Sequence, residues 1–188
     1  MFTLAHFGVK YTLLMVEQKL IQVDLVALVE DQDSLNPIVI LHDVIANRLL
    51  PIWIGDPEAR AIAVALENKK MSRPLTHRLL VNVVEKTGGK LSRIVVDRLK
   101  GKTYFATMYI RVGKKEISID ARPSDAVAIA LEAFAPIFVV KEVMDAGSQP
   151  NPFQNMTIQQ EKREFKKEDI EKLRALLLQA RAREEQTL

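Results

Sequence analysis

Two stretches of this 188-residue chain repeat one another without a gap, and they constrain the fold more than anything else in it. Ile54 to Leu66 reads IGDPEARAIAVAL, and Ile119 to Leu131 reads IDARPSDAVAIAL. Each runs from a strand end through a proline-containing turn into a helix with alanine at every second position. Ala61, Ala63, Ala65 and Leu66 match Ala126, Ala128, Ala130 and Leu131. A helix that is apolar nearly all round has no face to give to water, so both helices must be buried and closely packed. The match spans one supersecondary unit, so duplication and convergence both account for it.

Strand patterns surround these helices. Leu20 to Glu30, Pro37 to Leu41 and Leu49 to Ile54 are β-branched or alternating runs, and Asp31 to Asn36 supplies turn chemistry between the first two. Leu91 to Asp97, Thr103 to Val112 and Glu116 to Asp120 form a meander with turns at Lys100-Gly101-Lys102 and Gly113-Lys114. Thr76 to Thr87 reads as a helix stopped by Gly88-Gly89, and Ile137 to Val140 as a short strand. Because strands group with strands, the expected class is α+β with a largely antiparallel or mixed sheet and packed helices. Gly147 to Pro152 reads as the start of a linker. Beyond it, Ile170, Leu173, Leu176 and Leu177 predict an amphipathic C-terminal helix. The expected organisation is an extension over residues 1–15, the α+β domain over 16–146, a linker over 147–165 and the helix over 166–188.

Composition excludes several function classes. The chain has no cysteine, so disulfides, iron–sulfur clusters, cysteine zinc sites and thiol nucleophiles are ruled out. No apolar run is long enough to predict a membrane span. The first fourteen residues are broken by His6, Gly8 and Lys10, which reads as an extension or an early start codon rather than a signal peptide. A cytoplasmic location is expected. Net charge is +3 and the pI about 9.1, which permits nucleic-acid contact without demanding it.

Chemistry concentrates in two segments. In Asp120-Ala121-Arg122-Pro123-Ser124-Asp125 a strand ends and a helix begins. The exposed N–H groups of a helix start attract phosphate, and Arg122 can clamp it bidentately. Asp120 and Asp125 could hold a divalent cation. The plainer alternative is that Ser124 or Asp125 caps the helix while Arg122 pairs with Asp120. In Arg73-Pro74-Leu75-Thr76-His77 a histidine sits in the first turn of a helix, where the dipole favours its neutral, basic form, and Arg73 could bind a phosphate beside it. Here the alternative is a Thr76 cap and a packed histidine. Asp56 and Glu58 read as helix-start residues, and His42-Asp43 and Asp97 carry weaker signals. The sequence has no glycine-rich phosphate loop, HExxH or GxSxG motif.

Leu50-Pro51-Ile52-Trp53-Ile54-Gly55, the two segments above followed by Ala126, and Ala135-Pro136-Ile137-Phe138-Val139 occur in an order and spacing that closely resemble the bifunctional nuclease family. The resemblance covers about Gln22 to Asp145. It implies an α+β domain, often homo-oligomeric, that hydrolyses phosphodiester bonds in DNA and RNA. On that reading Arg73, Arg122 and Ser124 bind phosphate. Asp120 and Asp125 hold Mg²⁺ or Mn²⁺, and His77 activates water beside these catalytic aspartates. No organic cofactor and no membrane partner are expected. Two features depart from the family: Arg78 follows the Leu-Thr-His motif where many relatives carry an acid, and the tail does not match the helical hairpin that ends some of them. The rival reading is a non-enzymatic oligomeric binding or regulatory module, in which the same motifs are caps and ion pairs. The nuclease reading requires the two segments to meet in space.

Overall fold

Pro37–Asp43 (β2) opens on the apolar run Pro37 to Leu41, and every residue of the strand, His42 and Asp43 included, is buried. A run apolar on both faces must be covered on both sides, which makes β2 an interior strand. Its neighbours are Leu20–Glu30 (β1) and Arg48–Trp53 (β3). These belong to a computed structural model that describes residues 19–31, 35–67 and 71–152, together with Lys172, Ala175 and Leu178, which are helical. The other elements, in chain order, are helices Asp56–Leu66 (α1) and Thr76–Lys86 (α2), strands Gly89–Lys100 (β4), Thr103–Val112 (β5) and Lys115–Ala121 (β6), helix Pro123–Ala133 (α3), strand Ile137–Val140 (β7), helix Lys141–Gly147 (α4) and strand Gln149–Pro150 (β8).

One eight-stranded sheet results, in the order β6-β5-β4-β7-β1-β2-β3-β8. All neighbours are antiparallel except β4 and β7, so the sheet is mixed and the class is α+β. β1 joins the two halves. Its Leu20 to Val23 pair with β7, its Asp24 to Glu30 pair with β2, and a bulge between Leu25 and Ala27 bends it where the partner changes.

The helix predicted from the second alanine-rich copy, α3, lies at the centre of the packing. Ala126, Val127, Ala128, Ile129 and Ala130 are all buried, against α1, α2, β4 and β5. Alanine lets these neighbours approach without loss of side-chain entropy, and β-branched residues such as Ile94 and Val96 fill the rest. A second cluster of Ala27, Ile38, Ile40 and Leu49 lies on the opposite face of β1–β3, beside Trp53, whose indole donates to Asp31. Each large side chain buried this way contributes about 1.5–3 kcal/mol.

Two sequence expectations change. The first alanine-rich copy, α1, is not enclosed: it buries Ala59 and Ile62 and leaves Arg60 and Leu66 exposed, because it packs on α3 from one side only. Gly147 to Pro152 belongs to the fold and is not the start of a linker. α4 runs through Gly147, Gln149 is buried and pairs with Leu49, and Asn151 donates to the Asn47 side chain at 2.7 Å and to its backbone carbonyl at 3.0 Å. Arg48 locks this end by bridging buried Asp43 (3.0 Å) to Asp145 (2.7 Å). Asp43 also accepts from the backbone of Ile45 and Ala46, so its role is to build the β2–β3 turn. The proposed C-terminal stripe of Ile170, Leu173, Leu176 and Leu177 lies outside the described residues. No described helix is long and apolar enough to cross a membrane.

Gly147 makes the integration of this segment testable. A Cβ there would press into the Tyr104 hydroxyl and the Leu50 methyl group. Gly147→Ala is therefore expected to cost about 1–3 kcal/mol by overpacking, read as a lower midpoint in chemical denaturation. Truncation after Asp145 should destabilise the domain more than truncation after Pro152; equal stability of the two would mean that 147–152 is an appendage after all.

Candidate functional site

The three long helices start without side-chain caps. Gly55, Leu75 and Arg122 precede α1, α2 and α3 in extended conformation, and none makes a capping hydrogen bond. Asp56 and Thr76 sit one position, and Ser124 two positions, inside the helix from the observed cap, because the chain enters each helix earlier than expected. The first helical bonds are Ala59 N–H to Gly55, Leu79 N–H to Leu75 and Ala126 N–H to Arg122. The N–H groups ahead of them point out of each helix start without an intrahelical acceptor.

All three starts open on one cleft of about 720 Å³. Met108, Leu80 and Ile129 line its apolar side, while Glu58, His77, Asp120, Arg122 and Asp125 give it polar groups. The segments that sequence analysis required to meet do so: His77 Nε2 lies 3.2 Å from Asp125 Oδ1. Arg122 spans from α3 to α1. Its Nε and Nη2 donate to Asp125 at 2.7 and 3.1 Å, and its Nη1 contacts Glu58 at 2.6 Å. Arg122 is 66% exposed, whereas Glu58, His77 and Asp125 are largely covered. The guanidinium thus lies over the mouth of a partly desolvated carboxylate–imidazole pair.

Burial works to raise the Asp125 carboxyl, but hydrogen bonds from Arg122 and His77 and their charges outweigh it and hold the carboxyl below its ordinary value. Arg122 is held above its usual value, first by its hydrogen bond to Asp125 and then by the charges of Asp125 and Glu58. With Nε2–H donated to Asp125, the neutral imidazole keeps Nδ1 as a proton acceptor.

The remaining candidates are distributed less simply. Asp120 is 74% exposed on the cleft rim and pairs with Arg98 at 3.1 Å, not with Arg122. Ser124 is buried. Arg73 does not reach the His77–Asp125 pair; it lines a second hollow, of about 440 Å³, which shares Val64 and Leu75 with the cleft. Arg78, the departure from the family motif, lines that second hollow too and pairs with Glu132 at 2.7 Å. Glu58 joins the site although the sequence accounted for it as a helix-start residue. No pattern in the sequence places the α1 start beside the α3 start. Asp97 is engaged by Thr107 and Arg98. Among the described residues no group of three or more His, Asp or Glu side chains is arranged to surround a metal ion. Asp125 has both oxygens engaged by Arg122 and His77, and Asp120 has one engaged by Arg98. As arranged, these two aspartates do not make a cation site.

The family model of the bifunctional nuclease domain matches residues 39–152, a span that includes every residue of the cleft. An uncharacterized protein of Mycobacterium tuberculosis is 35% identical over 123 residues, covering 65% of this chain and 73% of that one. Bifunctional nuclease 2 of Arabidopsis thaliana is 33% identical over 96 residues, and bifunctional nuclease 1 of Oryza sativa subsp. japonica 27% over 101. These alignments cover 50% and 52% of this chain but only 29% and 30% of the plant proteins, so the likeness is to one region of each.

The depressed Asp125 carboxyl gives a pH dependence with a defined sign. Its favourable interactions contribute to stability in full above the unfolded value, near about pH 4, and are lost as pH falls through the lower folded value. The stability difference between the wild type and Arg122→Ala, followed by denaturant unfolding, should therefore shrink as pH is lowered from about 5 towards about 2. A difference that stays constant over that range would show that Arg122 does not act through Asp125.

Proposed function

The chain belongs to the bifunctional nuclease domain family, and from that premise we propose that it hydrolyses phosphodiester bonds of DNA and RNA in the cleft between the three helix starts. The observation that carries this reading is the 3.2 Å contact between His77 and Asp125, made beside an exposed arginine where helix N–H groups converge. Arg122 and the helix-start N–H groups would receive the phosphate and stabilise the extra negative charge of the transition state. His77, oriented by Asp125, would take the proton from water through Nδ1 as the water oxygen bonds to phosphorus. The bond from phosphorus to the leaving sugar oxygen breaks, and that oxygen takes a proton from solvent. A site that serves DNA as well as RNA must use water, because DNA has no 2′-hydroxyl to act as nucleophile.

Ser124 supports this scheme through its backbone N–H, since its side chain is buried. Assistance by Mg²⁺ or Mn²⁺ at Asp120 and Asp125 would require Asp125 to give up its bonds to Arg122 or His77, so no step is assigned to a metal. A homo-oligomer is part of the same proposal. Leu79 and Val83 of α2 and Ile117 and Ile119 of β6 are apolar and exposed, which is the surface a second subunit would cover. Light scattering at micromolar concentration should give a mass above that of one 21.3 kDa chain; a monomer mass counts against it. The module reading keeps that oligomer and gives up the chemistry.

The assay that separates the readings follows cleavage of labelled DNA and RNA by highly purified protein. His77→Ala should lower kcat about 10²- to 10⁴-fold, with Asp125→Ala reduced in parallel, while KM changes little. Activity that survives both substitutions belongs to a contaminant, and the non-enzymatic module would then be correct. Repeating the assay with EDTA and with added Mn²⁺ reads the metal question directly.

A further inference from the structure

The α3 helix ends in a way that its own stability does not favour. Phe134 follows Ala133 in left-handed conformation, with φ 53° and ψ 39°, at a position that usually holds glycine or asparagine. The ring is also 81% exposed. A strained backbone that holds an aromatic ring out in water is disfavoured twice, and such strain is commonly retained where a ligand uses it. The ring borders the second hollow, whose volume of about 440 Å³ accommodates a nucleoside. Leu75 and Leu131 supply an apolar wall there, and Asn82 supplies an amide. Arg73 lines the same hollow and has no ion-pair or hydrogen-bond partner among the described residues, whereas the neighbouring Arg78 is neutralised by Glu132.

These features select an occupant. An apolar segment of another protein would use Phe134 and Leu75 but leave the Arg73 charge and the Asn82 amide unanswered. A nucleotide uses all of them: a base face for the ring, a base edge for the amide and a phosphate for the guanidinium. Because the hollow and the cleft share Val64 and Leu75, the next nucleotide of a strand held in the cleft falls beside it.

We propose that this hollow is a nucleotide subsite in which Phe134 stacks an unpaired base and Arg73 binds the phosphate next to the scissile one, so that the protein selects single-stranded nucleic acid. This rests on the nuclease reading of the cleft. Bases in a duplex are stacked on each other and have no face to offer; a single strand does.

The test uses the full chain and fluorescence anisotropy with labelled phosphorothioate oligonucleotides, single-stranded DNA and RNA of one sequence and the matching DNA duplex. Hydrolysis of methyl p-nitrophenyl phosphate, too small to span both hollows, reports on the cleft alone. Phe134→Ala and Arg73→Ala should each weaken single-strand binding about five- to 150-fold, the range of one stacked base, with Phe134→Tyr close to wild type. Duplex binding should not change in Phe134→Ala, and neither should its small-diester hydrolysis. Phe134→Gly should raise thermal stability while losing single-strand affinity, because it relieves the left-handed strain. Unaltered single-strand affinity in Phe134→Ala overturns the subsite, as does a stability loss in Phe134→Gly. A changed mass in light scattering with unaltered affinity would assign the ring to an interface between copies and overturns it equally. A wild type that binds single strands as described but leaves the small diester intact would instead overturn the nuclease reading of the cleft.

Discussion

The burial of α3 on all sides is the constraint from which the rest follows. A helix can be enclosed by two other helices and a sheet only if its side chains are small where the neighbours cross, and Ala126, Ala128 and Ala130 meet that condition. Once α1 and α2 flank it, the starts of the three helices border the same cleft. The polar groups there come from segments far apart in sequence and are brought together by apolar packing behind them. Enlarging one of those alanines would therefore disturb the site as well as the core.

Convergent helix starts create a region of positive potential, and the protein answers it with carboxylates before any ligand arrives. Glu58 and Asp125 lie in the first turns of α1 and α3, where the helix dipole favours an anion. Arg122 then bridges them. The arrangement stores a competition: a phosphate entering the cleft offers Arg122 the same bidentate geometry that Asp125 already supplies. An incoming diester that drew Arg122 forward would leave Asp125 to His77 alone.

Much of the fold was legible in the sequence because its signals were local and periodic. The alanine-rich repeat located two helices, although only α3 is buried on nearly all sides while α1 buries Ala59 and Ile62, and the hairpin turns at Gly101 and Gly113 identified the meander. The contact between His77 and Asp125 was legible only through the family motifs, since 48 residues separate the two and no pattern joins them. Capping was misplaced by one position at Asp56 and Thr76 and by two at Ser124, because Asp, Thr and Ser are equally at home in the first turn. The segment from Gly147 to Pro152 read as a linker because glycine, proline and asparagine usually mark solvated loops. Here glycine is required by the close approach of Tyr104 and Leu50, and Asn151 is buried because Asn47 satisfies it. Arg73 was grouped with His77 by sequence proximity, yet the turn between them carries it to a neighbouring hollow.

Whether a phosphodiester sits among the three helix starts is read most directly from the change in backbone amide resonances of isotopically labelled protein on titration with a phosphorothioate dinucleotide. The largest shifts are expected on Glu58, His77, Ser124 and Asp125, whose N–H groups precede or flank the first helical hydrogen bonds. Shifts confined to other surfaces, with these four amides unmoved at saturation, would contradict that placement.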